Sequence, residues 1–248
     1  MKALKFNLSG KTAFFKKPDV NTYLYFTYGC IHKIAVLGIL GSVLGLEGYN
    51  QQEDKEYPDF YAELSALKIA IVPKNSRGYI PKKVQIFNNS VGYASQEEGG
   101  NLIVKEQWLE SPSWDMYICL EENVCGEAIE KNFLNRSFKY VPYLGKNDHF
   151  ADIKAVQIIS MEEAKDFSRV DSLFLKKHFE FLPEVQEEVG LFTELPEDKW
   201  KYEEKLPISL QELTNQYITE SFVFTNMRVG LKEPYKLYTY EDKVVFFF

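Results

Sequence analysis

An α+β fold built on a β-α-β-β-α-β core is what the sequence predicts, and three observations carry that prediction. Strand-like alternation recurs at residues 3–8, 114–120 and 155–159, and helical stretches near 31–46 and 127–134 fall between these strands. Beyond residue 160 the chain alternates as strands again, and 15% of all residues are aromatic, a share that suits pleated sheets. At 248 residues, 45% hydrophobic and 26% charged, the chain can bury a substantial core, and general disorder is excluded.

Each element follows from its own pattern. In the first strand Leu4, Phe6 and Leu8 alternate with Lys5 and Asn7. Gly10 to Tyr28 reads as a long loop loaded with basic and aromatic side chains. The first helix runs from about Ile31 to Leu46, with Gly38, Gly41 and Gly45 on one face at i, i+3 and i+7. Each glycine forgoes about 1 kcal/mol of helix propensity relative to Ala. The expected return is close approach of the helix backbone to a sheet or a ligand. Tyr49 to Phe60 reads as a polar loop and Leu64 to Val72 as a central strand.

Residues 74–101 read as irregular, with a short strand at Val84–Phe87. Leu102–Leu109 and Trp114–Leu120 are strands around the turn Glu110-Ser111-Pro112-Ser113. A short helix over Glu127–Leu134, a loop from Tyr140 to His149 and the strand Ala155–Ile159 complete the core. This order is that of the ferredoxin-like split β-α-β unit, with residues 74–113 as an inserted hairpin or thumb. RNA-recognition domains share the order and meet single-stranded RNA with an open sheet and loops. Residues 1–160 are expected to form this RNA-recognition-like domain, and 161–248 an acidic, β-rich extension with strands in Tyr217–Val229 and Tyr235–Phe248.

Charge is segregated. The chain has 29 Lys and Arg against 36 Asp and Glu, a net −7. Yet residues 1–49 balance at +4, 67–96 at +5 and 131–160 at +3, while 161–212 hold 14 acids against 7 bases. A polyanion responds to local potential, screened over about 8 Å at physiological salt. The three basic tracts could therefore form a phosphate-binding face. On composition alone, a solvated lysine surface is the plainer account.

Cys30, Cys119 and Cys125 cannot all pair and form no CxxC, and only 3 His are present. No structural zinc site is expected, and the reading is a reducing, cytoplasmic compartment. The start of the chain alternates rather than forming a signal peptide, and the longest apolar run, Ile34 to Leu46, is too short to span a bilayer. Neither secretion nor membrane association is expected. No P-loop, GxSxG, HExxH or EF-hand spacing occurs. His32 stands out among isolated histidines because it opens a helix beside Lys33, where unpaired N–H groups and the dipole favour phosphate. Trp108 and Trp114 flank a hairpin tip and read as core aromatics.

Three groups of segments belong together. Phe6-Asn-Leu-Ser-Gly10 leads to Ala13-Phe-Phe-Lys-Lys-Pro18. Tyr28-Gly-Cys-Ile-His32-Lys leads to Gly38-Ile-Leu-Gly41-Ser-Val-Leu-Gly45-Leu, and Pro142-Tyr-Leu-Gly145-Lys-Asn-Asp-His149-Phe-Ala-Asp follows. Over roughly residues 1–160 these motifs resemble the CRISPR-associated Cas-five family of the RAMP superfamily, closest to its type I-B form. The resemblance implies a non-catalytic subunit of the Cascade surveillance complex in antiviral defence. Such a subunit binds the five-prime handle of the CRISPR RNA and caps the filament of backbone (Cas-seven) subunits. Its thumb reaches towards the adjacent backbone subunit, a large (Cas-eight-type) subunit docks nearby, and target DNA joins the assembled complex. No cofactor or metal is implied.

The resemblance carries handle contact onto Lys16, Lys17, Tyr28, His32 and Lys33, then Gly145, Lys146, Asn147 and His149. Arg77, Tyr79, Lys82 and Lys83 mark the thumb. The alternative is a metal-independent endoribonuclease processing precursor CRISPR RNA, with Tyr28 and His32, or Lys176-Lys177-His178, as acid–base groups. A third reading is a protein-interaction module without RNA contact.

Overall fold

Alternation along the first strand decides how the sheet is buried. In the computed structural model, which describes residues 1–18, 23–121, 123–183 and 198–248, β1 (Lys2–Ser9) sends Leu4, Phe6 and Leu8 into the main core and Ala3 into a second one behind it. There follow α1 (Lys33–Leu44), α2 (Asp59–Leu64), β2 (Ile69–Pro73), β3 (Lys82–Asn88), β4 (Ile103–Glu110), β5 (Ser113–Cys119), α3 (Gly126–Leu134) and β6 (Asp152–Ser160). The longer C-terminal strands are β7 (Lys201–Leu210), β8 (Tyr217–Thr225), β9 (Leu237–Tyr240) and β10 (Lys243–Phe246).

The central sheet has the order β2-β5-β1-β6, every pair antiparallel. This is the order that a split β-α-β pattern demands, since each helical crossover skips one strand position. Phe6 sits opposite Met116, which sits opposite Ile71, so one apolar row crosses three strands. The α1 and α3 helices cover that row, with the Phe6 and Phe133 rings 4.8 Å apart.

The other sheet face corrects an expectation. RNA-recognition domains leave that face open, but here Ala3, Ala70, Val72, Tyr117 and Cys119 are roofed by Met161, Val245 and Phe247. Phe248 pairs both main-chain groups with Ile69 along the edge of β2, and its ring enters the main core. A ligand therefore has no access to the sheet itself.

Residues 49–64 also differ from the expected loop. Pro58 caps α2, Asp59 favours its positive end, and Phe60, Tyr61 and Leu64 are buried. The helix ends where a strand was expected to start, and β2 begins at Ile69. A run this short has too few turns to display a helical period.

The expected loop Gly10 to Tyr28 is held by pairing. Thr12–Ala13 joins β4, and isolated bridges link Lys16 to Thr27 and Tyr25 to Glu106. The inserted hairpin β3–β4 is in register from Lys82–Leu109 to Asn88–Ile103. The β-rich C-terminal expectation holds: β7 and β8 form a hairpin extended by Phe174–Leu175, and β9–β10 takes up Glu162–Glu163. Leu206, Phe222 and Phe246 enter the same core as Leu4 and Trp114. Part of the expected acidic stretch, residues 184–197, lies outside the described residues. Among the described residues no helix is long and apolar enough to cross a membrane.

Candidate nucleic-acid interface

The glycines of α1 separate into three jobs. Gly41 lets α2 approach, because a Cβ there would lie 2.6 Å from the Phe60 Cβ. Gly45 ends the helix at φ 82°, with its N–H donated to the Gly41 carbonyl. A Cβ on Gly38 would meet nothing within 4 Å. Ala35, Gly38 and Ser42 form a partly exposed stripe on a mostly buried helix, and they floor a groove of about 840 Å³. The sequence expectation of a sheet or a ligand is thus met once by a helix and once by open space.

The head of the helix is closed. His32 is its N-cap, accepting the Ala35 N–H at Nδ1 over 3.3 Å, and it is 3% exposed. Tyr28 and Tyr217 meet its ring edge-on at 5.2 and 5.4 Å. Burial without a counter-charge lowers its pKa to about 3, so His32 is neutral at pH 7. The imidazole occupies a donor that a phosphate would need, which corrects the expected anion site. Lys33 is buried too: its Nζ donates to the Phe248 carbonyl at 3.3 Å, and desolvation lowers its pKa to about 8. It points away from any phosphate. His32 still lines the groove, and Tyr28 lies behind it.

Lys16 and Lys146 both line the groove. Lys16 is exposed, with its ammonium 3.9 Å from the Tyr25 ring centroid. Lys146 is clamped between Glu106, at 3.2 and 3.4 Å, and Asp148 at 3.4 Å, and lies over the Phe87 ring. Glu106 is 5% exposed and also accepts the Trp108 indole N–H at 2.8 Å. Gly145 is required by its backbone: at φ 89° a Cβ would lie 2.0 Å from the Phe14 carbonyl oxygen. That approach seats the loop, with the Phe14 N–H donated to the Leu144 carbonyl. His149 is a buried post, 2.7 Å from the Thr12 hydroxyl and edge-on to Trp108, its pKa lowered chiefly by burial. Asn147 is exposed beside it.

The expected positive cleft does not form as such. Lys17 turns to Glu204, 3.3 Å away, and Glu204 also accepts the Gly29 N–H with both oxygens and the Tyr202 hydroxyl. Arg77 reaches Asp198 at 3.5 Å, and Lys83 reaches Glu110 at 3.4 Å. Asp198 and Glu204, from the acidic C-terminal third, thus meet cations of the basic tracts in space. The groove lining holds two lysines, Lys16 and Lys146, and two glutamates: Glu106 pairs with Lys146, and Glu47 with Lys55 outside the lining. Arg77, Tyr79, Lys82 and Lys83 are not in its lining but at the base of the β3–β4 hairpin.

Sequence reasoning missed the aromatic wall. Tyr140 and Tyr143 line the groove at 56% and 45% exposure, and Tyr49 joins them. Tyr143 lay inside a motif already singled out, and its neighbour Gly145 was the available signal. Among the described residues no group of three His, Cys, Asp or Glu side chains could hold a metal ion.

No family model and no curated protein matches the amino-acid sequence. Solved structures do match the fold. A chain of a CRISPR RNA-guided surveillance complex superposes with a TM-score of 0.51 at 11% identity, over 93% of this chain and 91% of that one. The fold is shared. A CRISPR protein from Archaeoglobus fulgidus superposes with a TM-score of 0.49 at 11% identity, over 99% of this chain and 98% of that one.

Proposed function

We propose that the chain is a non-catalytic subunit of a CRISPR RNA-guided surveillance complex, of the Cas-five type and the I-B form. It holds the five-prime handle of the CRISPR RNA in the α1 groove. The observation that carries the reading is the correspondence of fold over nearly the whole chain with a surveillance-complex chain. The motifs at residues 6–18, 28–46 and 142–152 support it, because two of the groove's walls are built from them.

The β3–β4 hairpin supports a capping role. Val84, Ile86 and Ile103 are 53–55% exposed on its outer face, an apolar surface suited to a neighbouring backbone subunit. The large subunit and target DNA complete the expected partners. Of the acid–base candidates, His32 is poorly suited to proton transfer at neutral pH, because burial holds its imidazole in the neutral form.

The test is co-expression with the operon partners. The assembled complex should retain one processed guide RNA with its five-prime end protected from nuclease. Equal protection in a complex lacking this chain refutes the handle-binding role. Cleavage of precursor RNA by the purified chain in EDTA, lost in His32→Ala, would instead establish the endoribonuclease.

A further inference from the structure

We infer that the α1 groove takes unpaired nucleobases stacked on Tyr140 and Tyr143, rather than a run of phosphates. This deepens the functional reading above and rests on it. The first ground is electrostatic. Two lysines and two glutamates line the groove, and Lys146 is already held by Glu106 and Asp148. A phosphate track needs uncompensated cations, whose occupation releases counterions. This lining offers a polyanion little net attraction.

The second ground is shape. Ala35, Gly38 and Ser42 form a floor with no side chain beyond a methyl or hydroxyl group, so a flat ring can lie against the helix. Both tyrosines line the same groove as that floor, with Tyr140 tied to the carboxyl end of α1. The Tyr140 N–H donates to the Ser42 carbonyl at 3.1 Å, and the Lys139 N–H to the Val43 carbonyl at 3.1 Å. Tyr143 is bridged to Phe150, and between them the Leu144 N–H donates to the His149 carbonyl at 2.7 Å. Two half-exposed rings on a backbone so tied are pre-organised, and ordering them on binding costs little. A duplex hides its base faces, so the occupant is single-stranded.

The test uses the full chain and a short single-stranded oligoribonucleotide carrying 2-aminopurine at successive positions. At one or two positions the fluorescence should be quenched on binding, and an abasic replacement there should weaken binding. Tyr140→Ala and Tyr143→Ala should each weaken it roughly 5- to 150-fold, the range of one stacked base. Tyr143→Phe should leave it nearly unchanged, and the dependence on salt should be the same in all three variants. Unaltered affinity and quenching in both alanine variants, with loss in Lys16→Ala, overturns the inference in favour of phosphate contacts. Loss of a partner subunit from the alanine variants with RNA affinity unchanged also overturns it, making the groove a protein-docking site. Retention of guide RNA by the wild-type complex is measured in parallel, and its failure refutes the functional reading separately.

Discussion

Replacing Gly38 separates what α1 needs for folding from what the groove needs for binding. Nothing lies within 4 Å of a Cβ at this position, so Gly38→Ala adds no clash. It removes a glycine penalty of about 1 kcal/mol within the helix. For a chain of this size that raises the melting temperature by roughly 2–4 °C. Gly41→Ala has the same propensity gain, but its Cβ would press to 2.6 Å from the Phe60 Cβ. Overpacking of that kind costs about 1–3 kcal/mol, so this variant should melt below wild type. Gly38→Leu keeps helix propensity and projects an isobutyl group into the groove floor. It should melt no lower than wild type yet retain guide RNA at least about tenfold more weakly, a loss of roughly 1.4 kcal/mol or more. Differential scanning fluorimetry and RNA anisotropy on the same preparations read both quantities. The reasoning is refuted if Gly38→Ala melts lower than wild type, or if Gly38→Leu binds RNA normally.

Other perturbations test the surrounding structure. The His32 pKa is depressed from 6.5 to about 3, so the stability it supports is present above pH 6.5 and lost as pH falls towards 3. Urea titrations should show about 2 kcal/mol lost through this group between pH 7 and pH 5. His32→Asn, which preserves the cap, should lose that slope, and an unchanged slope would disprove the assignment. Gly145→Ala should destabilise by at least about 1–3 kcal/mol from its backbone angle alone, read as a lower melting temperature. Glu204→Ala leaves the buried Gly29 N–H without its acceptor, at about 1–3 kcal/mol, and should speed proteolysis within residues 23–29. A wild-type cleavage pattern would count against the role of Glu204 as an anchor.

The core strands were legible because alternation is local: Leu4, Phe6, Trp114 and Met116 announce their faces within a few positions. The α1 helix was legible from its apolar run, and its glycine face announced a special surface. What stayed hidden depends on distance along the chain. Glu204 meets Gly29 across 175 positions and also pairs with Lys17, and Glu106 meets Lys146 across 40, so lysines that look free in the sequence are paired in the fold. His32 drew attention as an anion contact, whereas the structure makes it a buried N-cap packed against Tyr217, a neighbour that no local pattern ties to it. The α2 helix was missed because six residues carry less periodic signal than the polar segment around them.

The roof over the central sheet sets the order in which the molecule can be completed. During synthesis, β1, β2, β5 and β6 emerge well before Val245 and Phe247, so their rear face waits uncovered while some eighty-five further positions are added. Until the last strand closes, Ala70, Val72 and Tyr117 offer a nascent chain an adhesive flank, and Lys33 lacks the carbonyl that receives it. The β-α-β-β-α-β half therefore completes its packing only when Val245 and Phe247 have been added.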